Sequence, residues 1–303
     1  MGNDDKLSRI PAKGIDLAKS LNSGQVFHWT QHGKGFVGAI DQKPCYLEQS
    51  GTQLLVSSDL ISETRRYLAL DHGIDEIHRT FPDDPTLNAA VCYAAGIRIL
   101  RQPIWECLAT FLTSALKQVA HIRSISLLIR ERYGRRLEVV GTPVFSYPSP
   151  EILAGLTLDD LRACRLGFRA ANVLAAARMV AGDEIKLDGL AKLPSDEIRT
   201  ALCRFPGVGD KIANCVLLFA FGRLEVMPID VWIARVLKEK YFPEKAKLRP
   251  ADLADFCRQY FGPYAGYAQQ YLFHHWRLTY RKEPGGSEAR QRIGTGMLSG
   301  SNQ

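Results

Sequence analysis

The sequence predicts an α+β protein, with an antiparallel β region at the N-terminus followed by a long helical region. Between residues 15 and 58, short runs rich in β-branched and aromatic residues alternate with turn-forming clusters. From about residue 60 onward, apolar residues recur at three- and four-residue spacing. A glycine-rich turn at 206–209 then joins two helical segments and places a lysine at the junction.

The β runs are VFHWTQ (26–31), GFVGAID (35–41), CYLEQ (45–49) and QLLVSS (53–58). They are separated by turn-rich HGKG, DQKP and SGT, which predicts a meander. Helical spacing follows in ISETRRYLAL (61–70), LNAAVCYAA (87–95), WECLATFLTSAL (105–116), HIRSISLLIRERYG (121–134) and AANVLAAARMVAG (170–182), and strand signals stop. Thr157 with Asp160 forms an expected N-cap and acidic first turn, Pro194-Ser195 precedes a helix over 196–205, and Asp230 caps a helix over 230–241. Gly262-Pro263 must interrupt the last helical region, 251–281. The tail 284–303 has almost no apolar content and is expected to be disordered. No internal repeat is visible.

A length of 303 residues allows two or three domains, and 46% hydrophobic with 23% charged residues is ordinary for a globular chain. Lysine and arginine number 39 against 32 acidic residues, a net charge of +7 that favours a polyanionic partner. The seven cysteines are scattered and never form a C-x-x-C pair, which points to reduced thiols and away from zinc ribbons and iron–sulfur clusters. No metal site or cofactor is expected. No apolar run reaches the length of a membrane span and MGNDDKLSRI lacks a signal-peptide core, so an intracellular monomer is expected.

The functional centre is RFPGVGDKIANCVLLFAFG (204–222). Pro206 stops one helix, and Gly207-Val208-Gly209 forms a turn in which the glycines are expected to supply positive φ angles. The amides of the turn and of the next helix then make an anion site suited to a phosphate, although a plain helical corner reads the same way. Lys211 sits beside the positive end of that helix, where a cation is disfavoured. A lysine that grips phosphate is one reading. The other pairs its amine with Asp230, nineteen residues on at the next helix start, as a nucleophile and a carboxylate suited to attack on a sugar carbon.

The run FPGVGDKIANCVLLFAFGRLEVMPIDVWIARVL is similar to the helix-hairpin-helix and Gly/Pro…Asp signature of the DNA glycosylase superfamily. Together with NSGQVFHW (22–29), RQPIWECLATFLTSA (101–115), RLGFRAANV (165–173) and PYAGYAQQYLF (263–273), it resembles the 8-oxoguanine DNA glycosylases from about residue 15 to 281. The resemblance implies a TATA-binding-protein-like sheet domain at 1–95, a helical catalytic domain at 96–283 and an active site in a cleft. It also implies a double-stranded DNA partner carrying an oxidised purine, in a bacterial cytoplasm or a nucleus.

The same resemblance implies residue roles. The damaged nucleotide is flipped out, Lys211 attacks C1′ and Asp230 stabilises the cationic sugar. Cys215 and Phe273 would sandwich the base, Gln269 would bond its Watson–Crick edge, Phe219 would share the lysine's helix face, and the Gly24 carbonyl would meet N7–H. For Cys215, Phe219 and Phe273, each taken alone, core packing is the reading that spacing favours over contact with the base, and Gly24 also suits a turn. Gly207, Val208, Gly209, Phe168, Arg169, His121 and Lys117 would face DNA. Leu116, His121, Trp232 and Trp276 depart from the family pattern, which leaves lesion and opposite-base preference open. Two rival readings are a monofunctional alkylated-base glycosylase and a non-catalytic or retuned DNA-damage-binding protein.

Overall fold

A sheet whose side chains point alternately into two covered faces organises the N-terminal region of the protein, seen in a computed structural model that describes residues 6–114, 118–245 and 248–280. The sequence expectations for Lys117, Leu116 and the tail 284–303 lie outside the described residues. Strands β1 (Leu7–Pro11), β2 (Thr30–His32), β3 (Gly35–Ile40), β4 (Lys43–Ser50) and β5 (Gln53–Ser57) form one antiparallel sheet in the order β1-β5-β4-β3-β2. Helix α1 (Leu17–Asn22) lies between β1 and β2 in sequence. In register, Leu47 faces both Val56 and Phe36, and these residues join Cys45 and Leu54 in a core with Trp29, Leu60 and Tyr67. The intervening residues Val37 and Tyr46, also paired, point to the other face.

That second face is covered by a hairpin the sequence reading did not expect. Strands β6 (Arg136–Val139) and β7 (Thr142–Phe145) pair antiparallel, and Val139 and Val144 pack on Val37 and Tyr46. The two-residue turn is Val140-Gly141, with Val140 at φ 45°. A β-branched residue is disfavoured there, so the usual asparagine–glycine hairpin signal is missing; packing of Val140 against the same apolar cluster offsets the strain. Two other expectations are corrected. Strand β1 was not foreseen, and residues 26–29 are not a strand: Trp29 is drawn into the core, where its indole N–H donates to the Tyr67 hydroxyl at 3.0 Å.

Helices follow as α2 (Ile61–Tyr67), α3 (Ile74–Arg79), α4 (Pro85–Tyr93), α5 (Ile104–Leu112), α6 (Val119–Tyr133), α7 (Pro150–Ala154), α8 (Leu158–Ala163), α9 (Ala170–Ala181), α10 (Ser195–Leu202), α11 (Asp210–Phe219), α12 (Val231–Val236), α13 (Pro250–Phe261) and α14 (Ala265–Thr279). Thr157 and Asp160 form a reciprocal capping box on α8, and Asp230 caps α12, as the sequence predicts. Helix α12 continues in a wide turn over Leu237–Tyr241, and the break between α13 and α14 falls at Gly262–Tyr264. Helix α10 ends at Leu202 rather than 205, because the last residues before Pro206 leave the helix.

One large core contains the apolar faces of α5, α9, α11 and α14, including Phe111, Val173, Val216 and Leu272. The sheet is tied to it by polar groups. Gln25 donates to the Arg98 carbonyl at 2.7 Å and accepts the Leu100 N–H at 2.8 Å. Buried Glu106 on α5 pairs with Arg130 on α6 and lies 3.4 Å from His28 Nδ1. None of the described helices is long and apolar enough to cross a membrane.

Candidate active site

The hairpin between α10 and α11 fixes where α11 begins. Gly207 lies at φ 84°, and a Cβ there would fall 2.2 Å from the Asn172 amide nitrogen of α9. The φ angle favours glycine, and any side chain there would also displace the Asn172 amide. Gly209 corrects the sequence expectation: its φ is −107° with ψ −176°, extended backbone open to any residue, and nothing lies within 4 Å of a Cβ built on it. Val208 is buried as an anchor, while Pro206, Gly207 and Gly209 are exposed next to the first amides of α11.

Lys211 is half-buried in the first turn of α11. Its Nζ donates to Ser114 Oγ at 3.1 Å and stands 5.4 Å from the Phe111 ring centroid. The Phe111 ring is stacked on Phe219, with centroids 5.6 Å apart and planes 12° apart, and meets Phe27 edge-on. Phe219 thus forms a floor beneath the lysine's support. Cys215, one turn after Lys211, is buried; burial pushes its thiol up to about 11, Lys211 pulls it down and Asp230 pushes it up. At neutral pH it is a thiol, a weak nucleophile beside the amine.

Asp230 Oδ1 accepts the backbone N–H groups of Trp232 and Ile233 at 3.0 and 2.9 Å. Its carboxyl is nonetheless held above the usual range, because burial outweighs those two bonds and the attraction of Lys211. The fold therefore brings Lys211, Asp230 and Cys215 into one electrostatic neighbourhood from two helix starts.

Gly24, Gln269 and Phe273 form the second group. Gly24 has φ 92°, and a Cβ on it would lie 3.1 Å from Phe273 Cε1. Gln269 and Phe273 are one turn apart on α14; Gln269 is buried and its Oε1 has no hydrogen-bond partner. An orphaned amide oxygen in a protein interior is costly unless a ligand group satisfies it. The two groups are joined in two ways. Gly266 lets α14 pack directly on Leu218 of α11, and Gln102 links the Gln25 carbonyl (2.8 Å) to the Phe219 carbonyl (2.7 Å).

Among the described residues, the other expected DNA-facing side chains belong to different elements, the turn Gly167–Arg169 and helix α6. Phe168 is 72% exposed, whereas Arg169 is buried with its guanidinium 4.2 Å from the Phe168 ring centroid. His121 is exposed in the first turn of α6. Trp232 meets Tyr280 edge-on and Arg235 lies against both rings. Trp276 is buried, with no partner for its indole N–H and with Lys240 over its ring. Among the described residues no cluster of three or more His, Cys, Asp and Glu side chains could hold a metal.

Sequence reasoning missed Ser114, Phe111, Gln25 and Gln102. Ser114 lies 97 residues from Lys211, and no local pattern links them. A buried Gln in NSGQ and the polar Gln102 before an apolar helix were signals that interior backbone needed satisfying.

Residues 8–108 match the family model described as 8-oxoguanine DNA glycosylase, N-terminal domain. A probable N-glycosylase/DNA lyase of Methanothermobacter thermautotrophicus is 28% identical over 303 residues, covering 89% of this chain and 96% of the archaeal protein. The N-glycosylase/DNA lyase OGG1 of Arabidopsis thaliana is 29% identical, covering 86% of this chain and 76% of the plant protein. The solved 8-oxoguanine glycosylase/lyase of Clostridium acetobutylicum, bound to double-stranded DNA with cytosine opposite 8-oxoguanine, superposes with a TM-score of 0.83. Its identity is 26%, over 91% of this chain and 99% of that one.

Proposed function

We propose, on the premise that this chain belongs to the 8-oxoguanine DNA glycosylases of the helix-hairpin-helix superfamily, that it excises an oxidised purine from duplex DNA and then cleaves the strand. The single observation that carries the residue assignment is that Lys211 and Asp230, each at a helix start, lie near enough for the lysine to act on the Asp230 carboxyl, with the amine held on Ser114. Exposed hairpin residues 206, 207 and 209 offer backbone to a phosphate, and the net charge of +7 favours the polyanion. Such an enzyme works on DNA inside the cell.

The chemistry follows from these groups. With the nucleotide flipped out, the Lys211 amine, deprotonated for attack, donates its electron pair to C1′ while the C1′–base bond breaks and its pair leaves on the base, which takes up the proton the attacking nitrogen gives up. The Asp230 carboxylate, held in place by two backbone N–H groups, stabilises positive charge on the sugar. Opening of the sugar ring yields the imine; loss of a C2′ proton then expels the 3′ phosphate, and water releases the lysine. Gln269 Oε1 accepts from the base edge, and Phe273 supplies an apolar face. The Gly24 carbonyl accepts the N7 hydrogen that 8-oxoguanine carries and guanine lacks.

The test is a single-turnover assay with a duplex carrying 8-oxoguanine opposite cytosine. Release of the base followed by a strand break supports the function. Tight binding to that duplex with no base release, at any opposing base and for a panel of oxidised purines, would contradict it.

A further inference from the structure

We propose that Ser114 is a positioning residue for the Lys211 amine, an inference that rests on Lys211 being the nucleophile. Ser114 lies just past the end of α5 and is buried. Its hydroxyl donates to the Phe111 carbonyl at 2.7 Å, and the same carbonyl accepts the Ser114 backbone N–H at 3.0 Å. A hydroxyl has one hydrogen to give. With that hydrogen committed, Oγ presents only lone pairs to Lys211 Nζ, 3.1 Å away.

The direction of this bond matters for a nucleophile. A donor aimed at a neutral amine would occupy the electron pair that must form the bond to C1′. An acceptor instead holds the nitrogen by one of its N–H groups and leaves the pair unoccupied. Phe111 sets both restraints: its carbonyl orients the hydroxyl, and its ring, clamped between Phe219 and Phe27, carries the amine. As the nitrogen's pair becomes the bond to C1′ and the pair of the C1′–base bond leaves with the base, positive charge grows on nitrogen. The hydrogen bond to Ser114 therefore strengthens as the reaction proceeds.

An abasic-site duplex isolates this chemistry from base recognition. Ser114→Ala is expected to slow single-turnover borohydride trapping on that duplex by roughly 10- to 100-fold, the effect of one charge-assisted hydrogen bond. Affinity for a duplex with a tetrahydrofuran abasic analogue should stay within about twofold by the additivity of separate sites. Ser114→Thr keeps the hydroxyl and should retain trapping; Ser114→Cys keeps the volume but is a weak acceptor and should be slow, and it decides the matter if the alanine variant loses DNA affinity. Ala and Cys variants at the wild-type rate would overturn the proposal, as would a cysteine variant whose slowed rate is matched by its loss of affinity. A wild-type protein that never traps would instead overturn the nucleophile assignment, and Ser114's role with it.

Discussion

Gly24 sits against Phe273 so closely that a Cβ on the glycine would lie 3.1 Å from Cε1 of the ring, although the two residues come from opposite ends of the chain. The contact sets the Gly24 backbone against the Phe273 ring of α14, and the backbone at φ 92° disfavours any side chain. Gly24→Ala is expected to cost about 1–3 kcal/mol of stability from backbone strain. It should also lower excision of 8-oxoguanine more than strand cleavage at a preformed abasic site. Parallel single-turnover assays on the two duplexes check this; equal losses on both would remove Gly24 from base recognition.

The hairpin glycines separate folding from DNA contact. Gly207→Ala meets Asn172 and an unfavourable φ, so both the melting temperature and DNA affinity should fall. Gly209→Ala meets nothing in the protein, so its melting temperature should hold while affinity for duplex DNA drops by a methyl group placed where a phosphate approaches. Fluorescence anisotropy with labelled DNA and a thermal melt on each variant distinguish the two.

Glu106 holds Arg130 across α5 and α6 in a fully buried setting next to His28. Glu106→Gln leaves that guanidinium without its counter-charge and should cost about 3–5 kcal/mol, read from denaturant midpoints. Replacing both residues with apolar side chains of similar volume should recover much of the loss. The same loss in the double variant would mean that the pair's own attraction and hydrogen bonding stabilise the fold, rather than that a lone buried charge destabilises it.

Four histidines, His28, His72, His78 and His274, are lowered by burial and make the fold acid-sensitive. His72 is lowered to about 4 by burial and then by Arg101, whose guanidinium lies 2.8 Å from Nε2, while Nδ1 is 2.8 Å from the Tyr267 hydroxyl. His274 is likewise lowered to about 4, by burial first and then by Arg277 and Lys19. Both side chains are neutral in the fold and take protons more readily when unfolded, so their contribution is intact above pH 6.5 and is lost as pH falls towards 4. Urea midpoints measured at pH 7.5, 5.5 and 4.5 should decline in that order, and His72→Gln should flatten the slope.

Periodicity made most of the architecture legible. The alternation of β3 to β5 gives the sheet its two apolar faces, and the helix starts at Thr157 and Asp230 follow from capping chemistry that needs no distant partner. The β6–β7 hairpin was hidden because its turn places a valine at positive φ, a choice stabilised only by the sheet it packs on. At the site, Lys211 and Asp230 were legible because each sits at a helix start. Ser114 and Phe111 were not, since their relation to the lysine exists only once α5 and α11 pack together. Arg169 also shows the limit of charge reading: a basic residue expected to face DNA is buried, with its guanidinium against the Phe168 ring.

The most direct measurement is the site of covalent attachment. The protein is incubated with an 8-oxoguanine duplex and borohydride, digested with protease and nuclease, and the sugar-bearing peptide is sequenced by mass spectrometry. The adduct is expected on Lys211, with none formed by Lys211→Gln. An adduct on any other amine, or undiminished trapping by that variant, would contradict the assignment.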